Sequence, residues 1–245
     1  MLLMKIGAVL FCATVFGQSA SMTFPGTAYA SGAVTGKPFS AEQRLERNRT
    51  LADGTRITDP AVTTWIFRDS QGRTRTERYA IMQPYVETQS GPKLVEIYDP
   101  VAGYKYTLDE PNRIAHRVAF SPPPSRSSAP PKPVSATAPQ PQTTWENLGS
   151  QVIEGVVADG TLGTTITPIG ARGNDRPLTS THEVWNSREM GFMVLSKNID
   201  PVGGETVVRL VNISRAEPDP ALFEVPPGYA IVDETGPFTI RYTRP

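Results

Sequence analysis

Histidines and their acidic neighbours are the first residues of this chain that could support catalysis or bind a metal. The chain has two histidines, His116 and His182. His182 and Glu183 begin like the helical zinc-protease motif, but Trp185 and Asn186 follow with no second histidine, and the segment alternates like a strand. Because such histidines are more often structural than catalytic, we interpret both as structural.

The remaining polar motifs also favour structure over chemistry. No Gly-x-Ser-x-Gly elbow is present for a serine nucleophile. Most carboxylates of interest lie beside Pro or Gly, where such side chains cap turns; they are Asp99, Asp109, Asp200, Glu205 and Asp219. A glycine-rich loop at residues 170–175 lacks the lysine and following helix of a phosphate-binding loop, which favours a turn. A carboxylate pair for glycoside hydrolysis stays open, since pairing in space is invisible in a sequence. We expect no enzyme, no metal site and no cofactor.

Four arginines lie close together in one predicted hairpin, at Arg68, Arg73, Arg75 and Arg78. One interpretation is a charged edge in water, which prevents sheets from pairing edge to edge. The other is a contact for an acidic partner or a lipid headgroup. We favour the charged edge, because surface charge usually serves solvation.

The composition argues against several functional classes. The 245 residues include 24 basic and 24 acidic side chains, so no net charge favours nucleic acid or anionic lipid. The 24 prolines and 20 glycines predict many turns and few long helices. The single cysteine, Cys12, leaves no disulfide framework and no cysteine metal site.

Residues 1–30 have the pattern of an export signal. Lys5 precedes a short apolar run at residues 6–16, and small residues flank a candidate cut after Ala30. Residues 17–19 offer an earlier cut. The apolar run is too short for a permanent transmembrane anchor. We therefore expect an exported protein in the periplasm, the cell envelope or the extracellular space.

A meander of antiparallel strands is predicted for residues 37–120. Side chains alternate between the two faces of a sheet, so aromatic residues at alternate positions should share one face. The residues expected on an apolar concave face are Trp65, Phe67, Tyr104, Tyr106, His116 and Trp185. Lys105, Thr107 and Asp109 should point outward. Residues 39–48 fit an edge strand or a short helix, and Pro60 fits a sheet edge or a bulge.

Residues 121–143 are dense in proline, with Ser, Ala, Gln and Thr, and predict a disordered, mobile linker. Residues 144–243 then form the second part of the same β domain. We expect a hairpin there with its turn at Asp159-Gly160. Further on, Pro218-Asp219-Pro220 should start a helical turn that places Leu222 and Phe223 in the core.

Several motifs together resemble a family of exported bacterial proteins of unknown function that is common in Acidobacteria. The motifs are Arg68-Asp69-Ser70-Gln71-Gly72-Arg73-Thr74-Arg75, Asp99-Pro100, Leu148-Gly149, Ile153-Glu154-Gly155, Val184-Trp185 and Pro218-Asp219-Pro220-Ala221-Leu222-Phe223, with Pro226 and Tyr229. This resemblance covers residues 37–233. More distantly, the order of elements is similar to the half-barrel proteins related to the lipoprotein carrier LolA. That likeness implies a strongly curved antiparallel sheet around an apolar cavity that can hold an acyl chain, and it transfers no functional residue.

The fold class expected is therefore mainly β, a curved antiparallel half-barrel with few short helices. One functional hypothesis is a non-enzymatic binding module that holds an apolar or lipid-like ligand on the concave face. The alternative is an envelope structural or interaction protein with a fully packed core and no small-molecule ligand. The partners expected are accordingly a lipid, a lipoprotein-like ligand or an envelope protein, and no nucleic acid.

Overall fold

The computed structural model describes residues 19–29, 32–80, 91–122 and 139–243, and these residues are mostly in β-strands. The strands are β1 (Ser19–Phe24), β2 (Ala28–Tyr29), β3 (Phe39–Thr50), β4 (Arg56–Arg68), β5 (Thr74–Tyr79), β6 (Lys93–Asp99), β7 (Tyr104–Asp109), β8 (Ile114–Ser121), β9 (Gln142–Ile153), β10 (Val156–Thr167), β11 (Leu178–Ser187), β12 (Phe192–Asp200), β13 (Gly204–Ser214), β14 (Ala230–Asp233) and β15 (Phe238–Thr243). One 3-10 helix, Pro220–Phe223, lies between β13 and β14.

The main sheet has the strand order β14-β8-β7-β6-β5-β4-β3-β13-β12-β11-β10-β9, with the short β2 beside β8. Nearly all neighbours are antiparallel; β14 and β2 pair with β8 in parallel. The sheet is open and curved. The expected mainly-β, curved antiparallel fold is confirmed.

The observed strand pairing corrects the expectations for residues 39–48 and for one hairpin turn, and it confirms the expectation for Pro60. Residues 39–48 form a strand and not a helix, but β3 lies inside the sheet, between β4 and β13, so the predicted edge position is wrong. Pro60 lies where the pairing of β3 and β4 shifts, which confirms a bulge. The predicted turn at Asp159-Gly160 is wrong because both residues lie within β10. The chain turns instead at Glu154 and Gly155, both with positive φ (50° and 75°), as a two-residue hairpin turn requires.

β1 and β15 form a separate two-stranded ribbon that covers one face of the meander. We call this covered side of β4–β8 the ribbon face. The buried side chains between ribbon and meander include Ala28, Leu94, Val118, Phe238, Ile240 and Tyr242. The last strand of the chain, β15, therefore pairs with β1 and not with the edge of the main sheet.

The ribbon face is the side on which Lys105, Thr107 and Asp109 lie, since Lys105 pairs with Val118 and Thr107 with His116. Their expected outward orientation is wrong for two of the three. Thr107 and Asp109 are each only 3% exposed, because the ribbon covers them.

A closing segment at residues 218–229 covers the opposite side of the meander, which we call the loop face. Asp219 caps its 3-10 helix by accepting a hydrogen bond from the Ala221 amide at 2.9 Å. Phe223 is 2% exposed, and Val225 and Tyr229 pack on the buried residues Val95, Ile97, Leu108 and Ala115. The expected helical turn after Pro218 and the burial of Phe223 are confirmed, and Leu222 is half-buried.

Two predicted segments fall partly outside the described residues. Residues 123–138 of the proline-rich segment and residues 1–18 and 30 of the predicted export signal are not described. Ser121 and residues 142–143 lie in strands, so the linker is shorter at both ends than predicted. In the described ranges, no helix is long and apolar enough to cross a membrane.

Candidate functional site

Four of the six residues expected on a ligand-binding face do share one face. Trp65, Phe67, Tyr104 and Tyr106 all lie on the loop face of the meander. Phe67 pairs with Arg75, Arg75 with Ile97 and Ile97 with Tyr106, so one register line joins them.

The closing segment covers the part of this face around Tyr106. Tyr106 packs with Val225 and Tyr229, and Arg75 donates from Nη1 to the Leu222 carbonyl at 3.0 Å. This part of the loop face is therefore packed core, while Trp65, Phe67 and Tyr104 are half-buried.

His116 lies on the ribbon face, opposite Tyr104 and Tyr106. Its Nδ1 is 2.7 Å from Oε1 of Glu234, and its ring stacks on Phe238 at 4.3 Å between centroids. Nε2 is 3.8 Å from Oδ2 of Asp109 and has no hydrogen-bond partner among the described residues. These contacts join β8 to β15 and the end of β14, which makes His116 a packing residue of the ribbon.

Trp185 is a core residue of the second half of the sheet. It is 5% exposed and belongs to a cluster with Phe39, Ile66 and Leu210. Its indole N–H donates to Glu183 at 2.5 Å. The structure thus separates Trp185 from the aromatic residues of the loop face.

A cavity of about 450 Å³ lies on the ribbon face, beyond the end of the ribbon. This volume is within the range typical of small-ligand sites. Its lining includes Val34, Arg68, Thr74, Thr76, Tyr98 and Phe192. None of the six residues expected at a binding site is among its lining residues.

Residues 32–36 form a strap over this cavity, held by two tight turns. A Cβ on Gly72 (φ 84°) would fall 3.1 Å from the Ala33 side chain, and one on Gly191 (φ 58°) would fall 3.1 Å from Val34. The Gly36 amide also donates to the Ser70 carbonyl at 2.8 Å. Glycine at both turns therefore lets the strap approach closely and close one side of the cavity.

Arg68 forms the most unusual wall of the cavity, because it is a guanidinium that is only 4% exposed. Nε and Nη2 donate to the Lys37 carbonyl at 3.0 and 2.8 Å, and Nη2 also donates to the Met190 carbonyl. The guanidinium lies over the Phe39 ring at 4.7 Å. Burial lowers the pKa of Arg68 from its ordinary value.

The remaining charged and aromatic lining residues each have a partner of their own. Lys105 and Glu96 form an ion pair at 2.5 Å across β6 and β7. Tyr98 stacks on Phe120, with 4.6 Å between ring centroids. The cavity therefore combines apolar walls, two threonine hydroxyls, a neutralised ion pair and the Arg68 guanidinium.

The other residues considered for chemistry do not converge on this cavity. His182 lies on β11, where Nε2 is 3.2 Å from the Ser196 hydroxyl. Asp99 and Asp200 accept amide hydrogen bonds within their own turns, as expected of turn carboxylates. Among the described residues, no group of three or more His, Cys, Asp or Glu side chains is arranged to hold a metal ion.

The arginines expected on one hairpin do lie there, but their side chains are paired or buried. Arg73 pairs with Asp69 at 2.6 Å and Arg75 with Glu77 at 2.7 Å. Arg68 is buried. The interpretation of the hairpin as a charged edge in water is therefore wrong, since β4 and β5 each have a strand on both sides and Arg68 is only 4% exposed. The available signal was the alternation of Arg68 with Trp65 and Phe67, which already placed it on the other face.

Comparison with known proteins gives structural likeness only. No protein-family model and no curated protein matches the chain. An uncharacterized conserved protein from Thermus thermophilus is similar over 80% of this chain and 90% of that chain, with 10% identity and a TM-score of 0.39. The MucA/MucB complex structure from Pseudomonas aeruginosa matches 77% of this chain, with 13% identity and a TM-score of 0.38, but only 56% of that chain. This chain thus spans little more than half of that one.

A LolA superfamily protein from Nitrosomonas europaea is also among the similar structures. It matches over 78% of this chain and 92% of that chain, with 9% identity and a TM-score of 0.31. Similarity at this level assigns neither a superfamily nor a function to this chain. The likeness to LolA-type proteins, an origin in Acidobacteria and export therefore stay predictions.

Proposed function

We propose that this chain is a non-enzymatic, exported binding module that holds a small apolar ligand in the ribbon-face cavity. The observation that supports this is the cavity of about 450 Å³ beneath the strap at residues 32–36. The site of binding thus differs from the loop-face site that the sequence suggested.

The character of the walls supports an apolar ligand with a polar end. Val34, Phe192 and the ring of Tyr98 offer apolar contact, while Thr74 and Thr76 add hydroxyl groups at the sheet. Ligand pockets commonly combine mostly apolar walls with a few placed polar groups. Since the charged lining pair Glu96–Lys105 is already satisfied, a hydrocarbon chain can lie against it without leaving a bare charge.

The uncharged fluorescent probe N-phenyl-1-naphthylamine tests this proposal. We expect saturable binding to the wild type and a loss of at least about tenfold in affinity for Thr74→Trp, because the indole would fill the cavity. Thr179→Trp is the matched control, since Thr179 is an exposed strand threonine outside the lining. Absence of saturable binding to the wild type, or equal affinity in Thr74→Trp, would overturn the proposal. Native mass spectrometry of the purified protein would then detect any lipid that co-purifies.

A second candidate function, an envelope interaction protein, is favoured by the exposed edge strand β9. Within the described part of the chain β9 pairs only with β10. Its outer edge carries one charge, Glu146, and its Trp145 and Val152 are 66% and 68% exposed. An edge this long and this poorly charged suits the addition of an extended strand from a partner protein.

Lysine substitutions on the edge strand separate the two candidates. Trp145→Lys together with Val152→Lys should abolish binding to a partner identified by cross-linking in the envelope and leave probe binding unchanged. If the double variant still bound that partner, the β9 edge would not be the contact surface.

A further inference from the structure

We infer that the ligand of the ribbon-face cavity carries an acidic group, a carboxylate or a phosphate monoester, that pairs with Arg68. This inference rests on the proposed function, because it assigns the polar end of the ligand held in that cavity. We draw it from the positively charged side chains at the cavity and from the carboxylates that lie near them.

Arg68 is a buried cation without an acidic partner. None of the carboxylates in the described ranges forms an ion pair with it; its hydrogen bonds go to the carbonyls of Lys37 and Met190. Carbonyl oxygens satisfy N–H groups but supply no full negative charge. A guanidinium buried this deeply is costly unless a counter-charge reaches it.

Lys37 adds a second positive charge beside the cavity, although its side chain is not part of the lining. Its Nζ donates to the Arg188 carbonyl at 2.6 Å, and it forms no ion pair with any described residue. A Cβ on the cavity residue Gly191 would lie 3.7 Å from this Nζ. Arg68 in the cavity wall and Lys37 beside Gly191 are thus both held by backbone carbonyls.

Two of the three nearby carboxylates already have a cationic partner. Asp69 binds Arg73 through both oxygens, at 2.8 Å to its amide and 2.6 Å to its Nε, and Glu96 binds Lys105. Glu217 accepts only from the neutral amide and hydroxyl of Ser70, so it keeps its negative charge. The two positive charges of Arg68 and Lys37 therefore exceed the single charge of Glu217.

An acidic ligand group is the natural complement of this end of the cavity. The planar guanidinium matches carboxylate and phosphate oxygens in geometry as well as in charge. The lowered pKa of Arg68, caused by its burial, is consistent with a site that lacks a counter-ion. Fatty acids and phosphorylated lipids both carry such an acidic group, and they differ in the size of the headgroup.

Competition experiments with matched chains test the inference. Tetradecanoic acid, tetradecyl phosphate and tetradecanol would displace N-phenyl-1-naphthylamine from the wild type at pH 7.5. We expect at least one acidic chain to bind about tenfold or more tightly than the alcohol, the gain of a charge-assisted contact. The tighter of the two acidic chains then identifies the source of the acidic group.

Two variants locate the effect. In Lys37→Met the preference for acid over alcohol should fall by several-fold, and in Arg68→Met it should vanish while tetradecanol still binds. Arg68→Met leaves two buried carbonyls without donors and can fail to fold, so Lys37→Met and the wild-type comparison carry the test on their own. Lys197→Met, which removes a surface lysine paired with Glu205, is the control and should keep the full preference.

The outcomes separate this inference from the proposed function. If tetradecanol and both acidic chains bind the wild type equally, the acidic-group inference is overturned and the binding module stands. If no chain displaces the probe and the probe itself does not saturate, the proposed function falls and the inference falls with it.

Discussion

The indole ring of Trp185 lies directly on Gly160, its cross-strand neighbour. A Cβ on Gly160 would fall 2.6 Å from the ring, a separation that side chains do not tolerate. The glycine is thus required by packing, since Trp185 is a central member of the core cluster.

Gly160→Ala should destabilise the protein by about 1–3 kcal/mol, because the added methyl group displaces a packed ring. Urea unfolding followed by Trp fluorescence would measure the change. Gly236→Ala is the control, since its Cβ would meet nothing within 4 Å, and we expect its effect to stay within about 0.5 kcal/mol. Equal stability of Gly160→Ala and wild type would show that the ring can move at little cost.

The two candidate cuts of the predicted export signal should differ in their effect on stability. β1 pairs with β15 along its whole length, and Met22 and Phe24 pack against the buried ribbon core. A chain that starts at residue 31 should lose at least about 3 kcal/mol of stability relative to one that starts at residue 19, since each buried apolar side chain contributes about 1.5–3 kcal/mol.

Chemical denaturation of the two truncated chains would measure this difference. N-terminal sequencing of exported material would show which cut is used, and we expect the earlier one. Equal stability of the two chains would mean that the ribbon contributes nothing to the fold.

Glu77 should make stability depend on pH in the acidic range. Burial alone would raise its pKa, but hydrogen bonds from Lys93 and Arg75 outweigh burial and hold the pKa below 4.5. A lowered folded-state pKa gives stability that is present above about pH 4.5 and is lost as pH falls through the folded-state value.

Glu77→Gln should therefore lower the free energy of unfolding by about 1–3 kcal/mol at pH 7. As the pH falls below 5, the variant should lose less stability than the wild type. Urea midpoints measured at pH 7 and across the acidic range would show it. Glu189→Gln removes an ion pair whose side chains are 55% and 53% exposed, so its effect should stay below about 1 kcal/mol. Parallel pH profiles for wild type and Glu77→Gln would contradict the prediction.

The cap of the closing segment should contribute to the loop-face core. Asp219→Ala removes the acceptor of the Ala221 amide and should cost about 0.5–2 kcal/mol. Asp219→Asn keeps a capping oxygen and should be nearly neutral. Thermal unfolding of the pair would distinguish the cap from the charge, because a charge effect would make both variants equally unstable.

Most strands and their internal alternation could be predicted from the sequence. The meander predicted for residues 37–120 is present as β3 to β8, and Trp65 and Phe67 share a face as predicted. Both are local properties, since side chains in a strand alternate whatever lies above them. Two residue pairs, Glu154-Gly155 and Asp159-Gly160, could each have formed the turn of the same hairpin, and the sequence nearby does not distinguish them. The chain turns at Glu154-Gly155.

The candidate site could not be predicted in the same way. Alternation placed Arg68 opposite Trp65, but it could not tell that the side with Arg68 would receive the strap and the ribbon. Four of the six expected binding residues lie on the loop face, where the closing segment packs on Tyr106, while His116 and Trp185 lie elsewhere.

The sequence by itself determined a mainly-β chain, the alternation within its strands and the capped turn before Phe223, because short-range sterics and hydrogen bonds decide these features. Only the tertiary structure decided which face is covered and by what. β1 pairs with β15, although the two strands lie at opposite ends of the sequence. Arg68 binds the carbonyls of Lys37 and Met190. Such long-range contacts depend on the packing of whole layers, and they leave a cavity with a buried, unpaired cation that no local pattern encodes.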